Sequence, residues 1–172
     1  VYSKEMEHDA CGVGLIASTE GKKSREVVEY GIEALKAVWH RGAVDADGKT
    51  GDGAGIHLEI PKDFFVEKIE VTGHTHDGSD ICVGMIFLPR NDYAAQESCK
   101  TIVESELTKN DFSIYGWRQV PVNPKVLGEK ALQTMPEIIQ VLFKANNKNL
   151  LDKDPERKIC LLYTSPSPRD TV

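Results

Sequence analysis

Cys11 stands at the end of the acidic, polar lead-in "MEHDA" and directly before "GVGLIAS". A thiol so near the start of a chain has a special chemical option. If the preceding residues are removed, Cys11 carries a free α-amine beside its own sulfur. An α-amine titrates near 7.7–8.0 and a thiol near 8.5, so the amine is well matched to act as base toward the thiol. Nucleophile and base then sit on one residue, as in enzymes that pair threonine with an N-terminal amine. Gly12 and Gly14 leave room for substrate and backbone to approach without an intervening Cβ. Scission between Ala10 and Cys11 suits a polar, exposed lead-in. The plainer reading is a packed thiol beside a turn.

Other stretches offer weaker chemistry. "TGDGAGI" (50–56) is glycine-rich but lacks the GK[ST] ending of a phosphate loop, so it reads as a tight turn entering a strand. Asp45, Asp47 and Asp52 do not have the spacing of a calcium loop, and its closing Glu is absent. "HTHD" offers His74 and His76 as metal ligands, with no third ligand at suitable spacing. Cys82 and Cys99 lie in apolar contexts and read as core thiols; Trp39 and Trp117 read as core aromatics. The four cysteines form no CxxC pair, which fits reduced thiols in a cytoplasmic protein.

These residues must be held by elements that the pattern predicts. "GVGLIAS" (12–18) reads as a short buried strand. A helix follows, with Val28, Ile32, Leu35 and Trp39 at helical spacing, Ser24 as N-cap, Glu26 in the first turn and Gly42 as stop. Residues 45–55 form a glycine-rich loop, and "IHLEI" (56–60) reads as a half-buried strand ended by Pro61. Residues 66–80 read as an exposed connection, and "ICVGMIFLP" (81–89) as a central strand. A helix is expected over 91–111, with Ala95, Cys99, Ile102, Val103 and Leu107 on one face, then a strand over 112–122. A short helix within "VLGEKALQTMP" and a strand-like run over 137–145 close the series. The order β-α-β-β-α-β points to a mixed α/β or α+β domain, with strand direction left open.

Composition narrows the function classes. The chain has 172 residues, 40% hydrophobic and 28% charged, enough for one domain with a core. Its net charge of −6 argues against a nucleic-acid or anionic-membrane surface. No apolar stretch approaches the roughly 20 residues of a membrane span. The opening residues lack a signal peptide's basic start and apolar core. "CLLYTSPSPRDTV" resembles translated sequencing-adaptor read-through, so residues 159–172 are expected to be a non-native tail.

Three stretches in order carry a specific resemblance: "HDACGVGLIA", "LKAVWHRGAVDADGKTGDGAGI" and "IPKDFF", with Arg41 thirty residues after Cys11. The series resembles the start of the glutaminase domain of glutamate synthases, which are class II glutamine amidotransferases within the N-terminal-nucleophile hydrolases. The resemblance implies an α+β fold, a four-layer αββα sandwich with antiparallel sheets, here incomplete. It implies that residues 1–10 are a propeptide remnant and residues 11–158 the N-terminal part of the amidotransferase domain. The implied reaction is hydrolysis of glutamine through a thioester on Cys11 to glutamate and ammonia, the ammonia then serving with 2-oxoglutarate to make glutamate.

Arg41 has three readings: a clamp on the substrate carboxylate, an organiser of the Cys11 loop, and a surface arginine at a helix end. The resemblance favours the organising role, because the family's carboxylate clamp resembles a different arginine, in an Arg-aromatic-Ser-Thr motif that this sequence lacks. The downstream Asn-Gly pair used as an oxyanion hole is also missing. Losing one oxyanion donor typically costs about 100- to 1000-fold in rate, so this stretch alone is expected to be inactive. For the parent enzyme the resemblance implies FMN and an iron–sulfur cluster, with no cofactor and no metal in this chain. The implied partners are glutamine, the remaining synthase domains and a small electron-donating subunit, with no nucleic acid and no membrane. The electron donor is left open between NADPH, NADH and ferredoxin. The alternatives are another class II amidotransferase and a non-catalytic binding or regulatory domain.

Overall fold

The computed structural model describes residues 12–39, 42, 44–51 and 53–146. They fall into two compact units: 12–59 with Asn123–Thr134, and 60–122 with 135–146.

In the second unit, three strands form one antiparallel sheet in the order β1-β3-β2: β1 (Cys82–Leu88), β2 (Phe112–Gln119) and β3 (Glu137–Ala145). β3 is central. It pairs with β1 from Cys82↔Phe143 to Leu88↔Glu137 and with β2 from Phe112↔Ala145 to Gln119↔Ile139. Adjacent residues on a strand face opposite sides, so a strand buried on both faces reads as an unbroken apolar run. "VLF" (141–143) is such a run: Val141 and Leu142 are 1% and 0% exposed on opposite faces.

One face carries α3 (Tyr93–Lys109), whose Leu107 joins Phe112, Val141, Phe143 and Ala145 in a buried cluster. Asp92 caps α3 by accepting from Ala95 N at 2.9 Å. The other face carries α2 (Lys62–Val71), whose Phe65 and Ile69 close over Tyr115, Leu142 and Ile81. A bulge at Tyr115 lets both clusters form. The register shifts between Ile114 and Gly116, so Trp117 returns to the face of Ile114 instead of alternating away. Gly116 is needed at this corner: its φ is 143°, and a Cβ would stand 3.0 Å from the Thr72 side chain.

In the first unit, α1 (Arg25–Ala37) begins as the sequence predicts. Ser24 Oγ accepts from Val27 N at 3.3 Å, and Glu26 lies in the first turn. Val28, Ile32 and Leu35 form its half-buried stripe. Gly31 admits Ile56, whose Cδ1 would lie 3.1 Å from a Cβ there. A single 3-10 turn, Pro124–Val126, precedes α4 (Glu129–Thr134).

Several expectations are corrected. Residues 12–18 and 56–60 form no strand ladder, and Val13 and Leu15 are 92% and 89% exposed. An apolar run becomes a strand only where a neighbour supplies hydrogen bonds, and no described segment does so here. Residues 66–80 are not all connection: α2 covers their first part. Its narrow stripe of Phe65 and Ile69 follows Pro61, which precedes a helix rather than ending a strand. Among the described residues the run at 81–89 supplies an edge strand, with Met85 and Phe87 open to solvent, because apolar content does not tell which strand gains two neighbours. Trp39 is 74% exposed rather than a core aromatic, and α1 stops at Ala37, before Gly42. No helix among the described residues is long and apolar enough to cross a membrane. The architecture is α+β.

Ile69→Ala removes a fully buried side chain that closes one face of the sheet, and should cost about 2–5 kcal/mol in denaturant melts. Val71→Ala, on the exposed side of the same helix, should change stability by less than about 0.5 kcal/mol. Equal losses at both positions would contradict the assigned core.

Candidate functional site

Of the residues singled out for catalysis, Cys11 and Arg41 fall outside the described residues, as does Asp52. Gly12 is described: it is exposed and outside regular structure. From there the chain runs through a turn, in which Gly21 N donates to Ser18 O at 3.2 Å, into α1. The segment holding Arg41 thus lies between the end of α1 and the loop 44–51.

That loop is tightly built. Val44 and Gly51 form an isolated antiparallel bridge, and Asp45 N donates to Thr50 O at 2.7 Å. Gly48, at φ 67°, turns the chain at the tip. Asp47 organises the interior. Its Oδ1 accepts from Lys49 N at 2.9 Å and Thr50 N at 2.7 Å, and its Oδ2 accepts from Thr50 Oγ1 at 2.6 Å. These bonds favour the anion, the Thr50 hydroxyl most, and the Glu129 amide adds to them. The Asp47 carboxyl is lowered from 3.8 to about 2. Across from the loop, Lys130 Nζ lies 2.6 Å from Asp45 Oδ2. A Cβ on Gly128 would fall 2.2 Å from Thr50 Oγ1 and 2.3 Å from Asp47 Oδ2. The sequence shows the aspartates and glycines of this loop; nothing in it pairs them with 128–130.

The histidines of "HTHD" have structural partners. His74 Nδ1 lies 3.2 Å from Thr72 Oγ1, and His76 Nε2 lies 2.8 Å from Ser79 O. Both rings stand against Tyr115. Asp77, in the same stretch, is the centre of a network that sequence reasoning missed. It accepts from Lys144 Nζ at 2.5 Å, from Ser79 Oγ and from Tyr115 OH. Lys144 chiefly, then Ser79, hold its carboxyl well below the usual carboxylate range. Asp77 in turn raises Lys144. This network ties the loop after α2 to β3 and β2. Among the described residues no group of three His, Cys, Asp or Glu could hold a metal ion.

Cys82 is half-buried, and burial first, then Asp80, pushes its thiol up, the opposite of an activated nucleophile. Trp117 packs beside the α3 cluster, and its indole donates to Glu104 at 2.6 Å. An open polar cleft of about 400 Å³, lined by Arg90, Tyr93, Gln96, Lys100, Gln119 and Glu137 among others, offers neither cysteine nor serine.

Comparison with known proteins bears on the same region. Residues 11–165 match the family described as glutamine amidotransferases class-II. The chain is 55% identical over 161 residues to the glutamate synthase [NADPH] large chain of Azospirillum brasilense, covering 94% of this chain and 11% of that protein. It is 41% identical over 154 residues to ferredoxin-dependent glutamate synthase 1 of Arabidopsis thaliana, covering 89% and 9%. Against the ferredoxin-dependent glutamate synthase of Cyanidium caldarium it is 42% identical over 140 residues, covering 81% and 9%. The chain spans about a tenth of the length of these curated relatives.

Asp47 is more acidic folded than its ordinary 3.8, so the order it gives the loop is present above about pH 4 and lost as pH falls through about 2. Amide exchange at Lys49 and Thr50, corrected for intrinsic rates, should quicken across that window. Asp47→Asn should exchange faster at neutral pH and show no such step. A wild-type profile without the step would contradict the assigned bonding.

Proposed function

Because the chain belongs to the class II glutamine amidotransferases, we propose that it supplies the nucleophile-bearing part of the glutaminase domain of a glutamate synthase. One observation carries this reading: the family match begins at Cys11, the residue whose chemistry requires it to be first in the mature chain. The names of the relatives favour glutamate synthase over other members of the class.

In this reading residues 1–10 are a propeptide remnant, and hydrolysis of the Ala10–Cys11 bond frees the α-amine. The amine takes the thiol proton, and the thiolate attacks the side-chain amide carbon of glutamine. The C–N bond of the tetrahedral adduct breaks as the protonated amine returns its proton to the leaving nitrogen. Ammonia and a γ-glutamyl thioester result. Water, relieved of a proton by the same amine, attacks the thioester, releases glutamate and restores the thiol. One glutamine and one water thus give one glutamate and one ammonia. Gly12 leaves the backbone beside the sulfur uncluttered, and Arg41 holds the Cys11 loop by donating to its carbonyls.

In the parent enzyme the ammonia would meet 2-oxoglutarate in another part of the chain, and FMN and an iron–sulfur cluster bound there would supply reducing equivalents. Among the described residues no group of three His, Cys, Asp or Glu stands together as a metal or cluster ligand set. The proposed chemistry of this chain runs without FMN or the cluster. Its partners are the remaining synthase domains and a small electron-donating subunit, in the cytoplasm. The sequence has no oxyanion-hole Asn-Gly pair, so residues 11–158 alone are expected to be inactive. The open apolar positions Met85 and Phe87 support a further layer over that face, as in a four-layer αββα sandwich.

In the full-length enzyme, mass spectrometry should find Cys11 at the mature N-terminus and alkylated by 6-diazo-5-oxo-norleucine. Cys11→Ala should abolish glutamine hydrolysis, and Arg41→Ala should lower it about 10- to 100-fold. Normal hydrolysis by a protein in which Cys11 is still joined to Ala10 would refute the proposal.

A further inference from the structure

In the second unit, α3 closes on the sheet along its later half, through Val103 and Leu107. Beside its first half lies the open cleft of about 400 Å³, within the size range of small-molecule sites. Gln96 lines this cleft and is 9% exposed. Its Nε2 donates to Pro89 O at 2.7 Å and to Arg90 O at 3.2 Å. These bonds fix the amide, since turned over it would set its oxygen against two carbonyls. No described residue donates to Gln96 Oε1, yet no buried side-chain polar atom among the described residues lacks a partner. That oxygen is therefore open to the cleft, as a fixed acceptor. Arg90 and Glu137 line the same cleft, and neither makes an ion pair with the other or with any other described residue. Glu137 Oε1 accepts from Gln119 Nε2, and a carboxylate has further acceptor positions. Lys100, one helical turn after Gln96, adds a second cation, shared with Glu97 at 2.8 Å. Ile139, 5% exposed, is the apolar part of the lining.

We propose that this cleft binds a free α-amino acid as its zwitterion. Arg90, helped by Lys100, takes the carboxylate, Gln96 Oε1 and Glu137 take the ammonium, and the side chain lies against Ile139. A guanidinium matches a carboxylate with two parallel bonds. An ammonium has three donors and no acceptor, so it needs the acceptors that Gln96 and Glu137 present. A simple anion would leave Glu137 opposed, and a simple cation would leave Arg90 opposed. A zwitterion satisfies both. This site does not depend on the role given to Cys11.

The test uses the full-length protein, treated with 6-diazo-5-oxo-norleucine so that Cys11 takes up no amino acid. Titration calorimetry with L-norvaline, which has no side-chain amide to hydrolyse, should show saturable binding with a Kd below about 10 mM. Arg90→Gln and Glu137→Gln should each weaken that binding about 10-fold or more, the loss expected of a charge-assisted bond. In the unsubstituted protein, 2-oxopentanoate, which lacks the ammonium, and norvalinamide, which lacks the carboxylate, should bind at least about 10-fold more weakly than norvaline. In Arg90→Gln, norvaline and norvalinamide should bind within about threefold of each other, because the carboxylate has lost its main partner. Absence of saturable norvaline binding overturns the inference, as does binding that both substitutions leave unchanged. Equal affinity for 2-oxopentanoate identifies a plain anion site and overturns the zwitterion. If one variant does not fold, the other variant and the two truncated ligands decide.

Discussion

Val141 and Leu142 are neighbours on β3, and each is sealed on an opposite face of the sheet. That constraint organises the second unit. A strand with two buried faces needs a strand on each side and a helix over each face, and β1, β2, α3 and α2 supply them. The bulge at Tyr115 follows from the same requirement. Without the extra residue, Trp117 and Ile114 would lie on different faces, and the α3 cluster would lose one of them. Tyr115 itself drops to the α2 side, where its hydroxyl meets Asp77 and Ser79. A packing demand on one face thereby builds the polar anchor on the other.

The first unit is organised differently. No residue of α1 is buried, and the loop 44–51 is shaped by hydrogen bonds to two aspartates rather than by apolar contact. Such a scaffold suits a segment whose proposed task is to place a reacting group. Apolar packing accepts several arrangements of similar volume, whereas a carboxylate with three donors accepts few.

Legibility in the sequence follows the range of the interactions. Helix α1, its Ser24 cap and the extent of β3 were readable, since caps and apolar runs are local signals. The helix α2 was hidden because its apolar stripe is only Phe65 and Ile69, too short for a clear period. Strands at 12–18 and 56–60 were overread because alternation reports what a segment can pair with, not whether a partner is present. The chemistry proposed for Cys11 is read from position and residue type alone, since Cys11 lies outside the described residues. The grip of Asp45 on Lys130 was not legible, because a contact between residues 85 apart leaves no pattern in either stretch.

Energetics indicate what that grip is for. Lys130 is 65% exposed, and a surface ion pair of this kind contributes about 0–1 kcal/mol. The bonds of Asp47 are likewise open to solvent, so water competes for each of them. A network of this kind adds little to the stability of the fold. It nevertheless restricts five positions at once: Asp45, Asp47, Thr50, Gly128 and Lys130. Restriction without much stabilisation is the signature of a device that selects one geometry from several of similar energy. The geometry selected is that of the loop 44–51 and its register against Gly128 and Lys130.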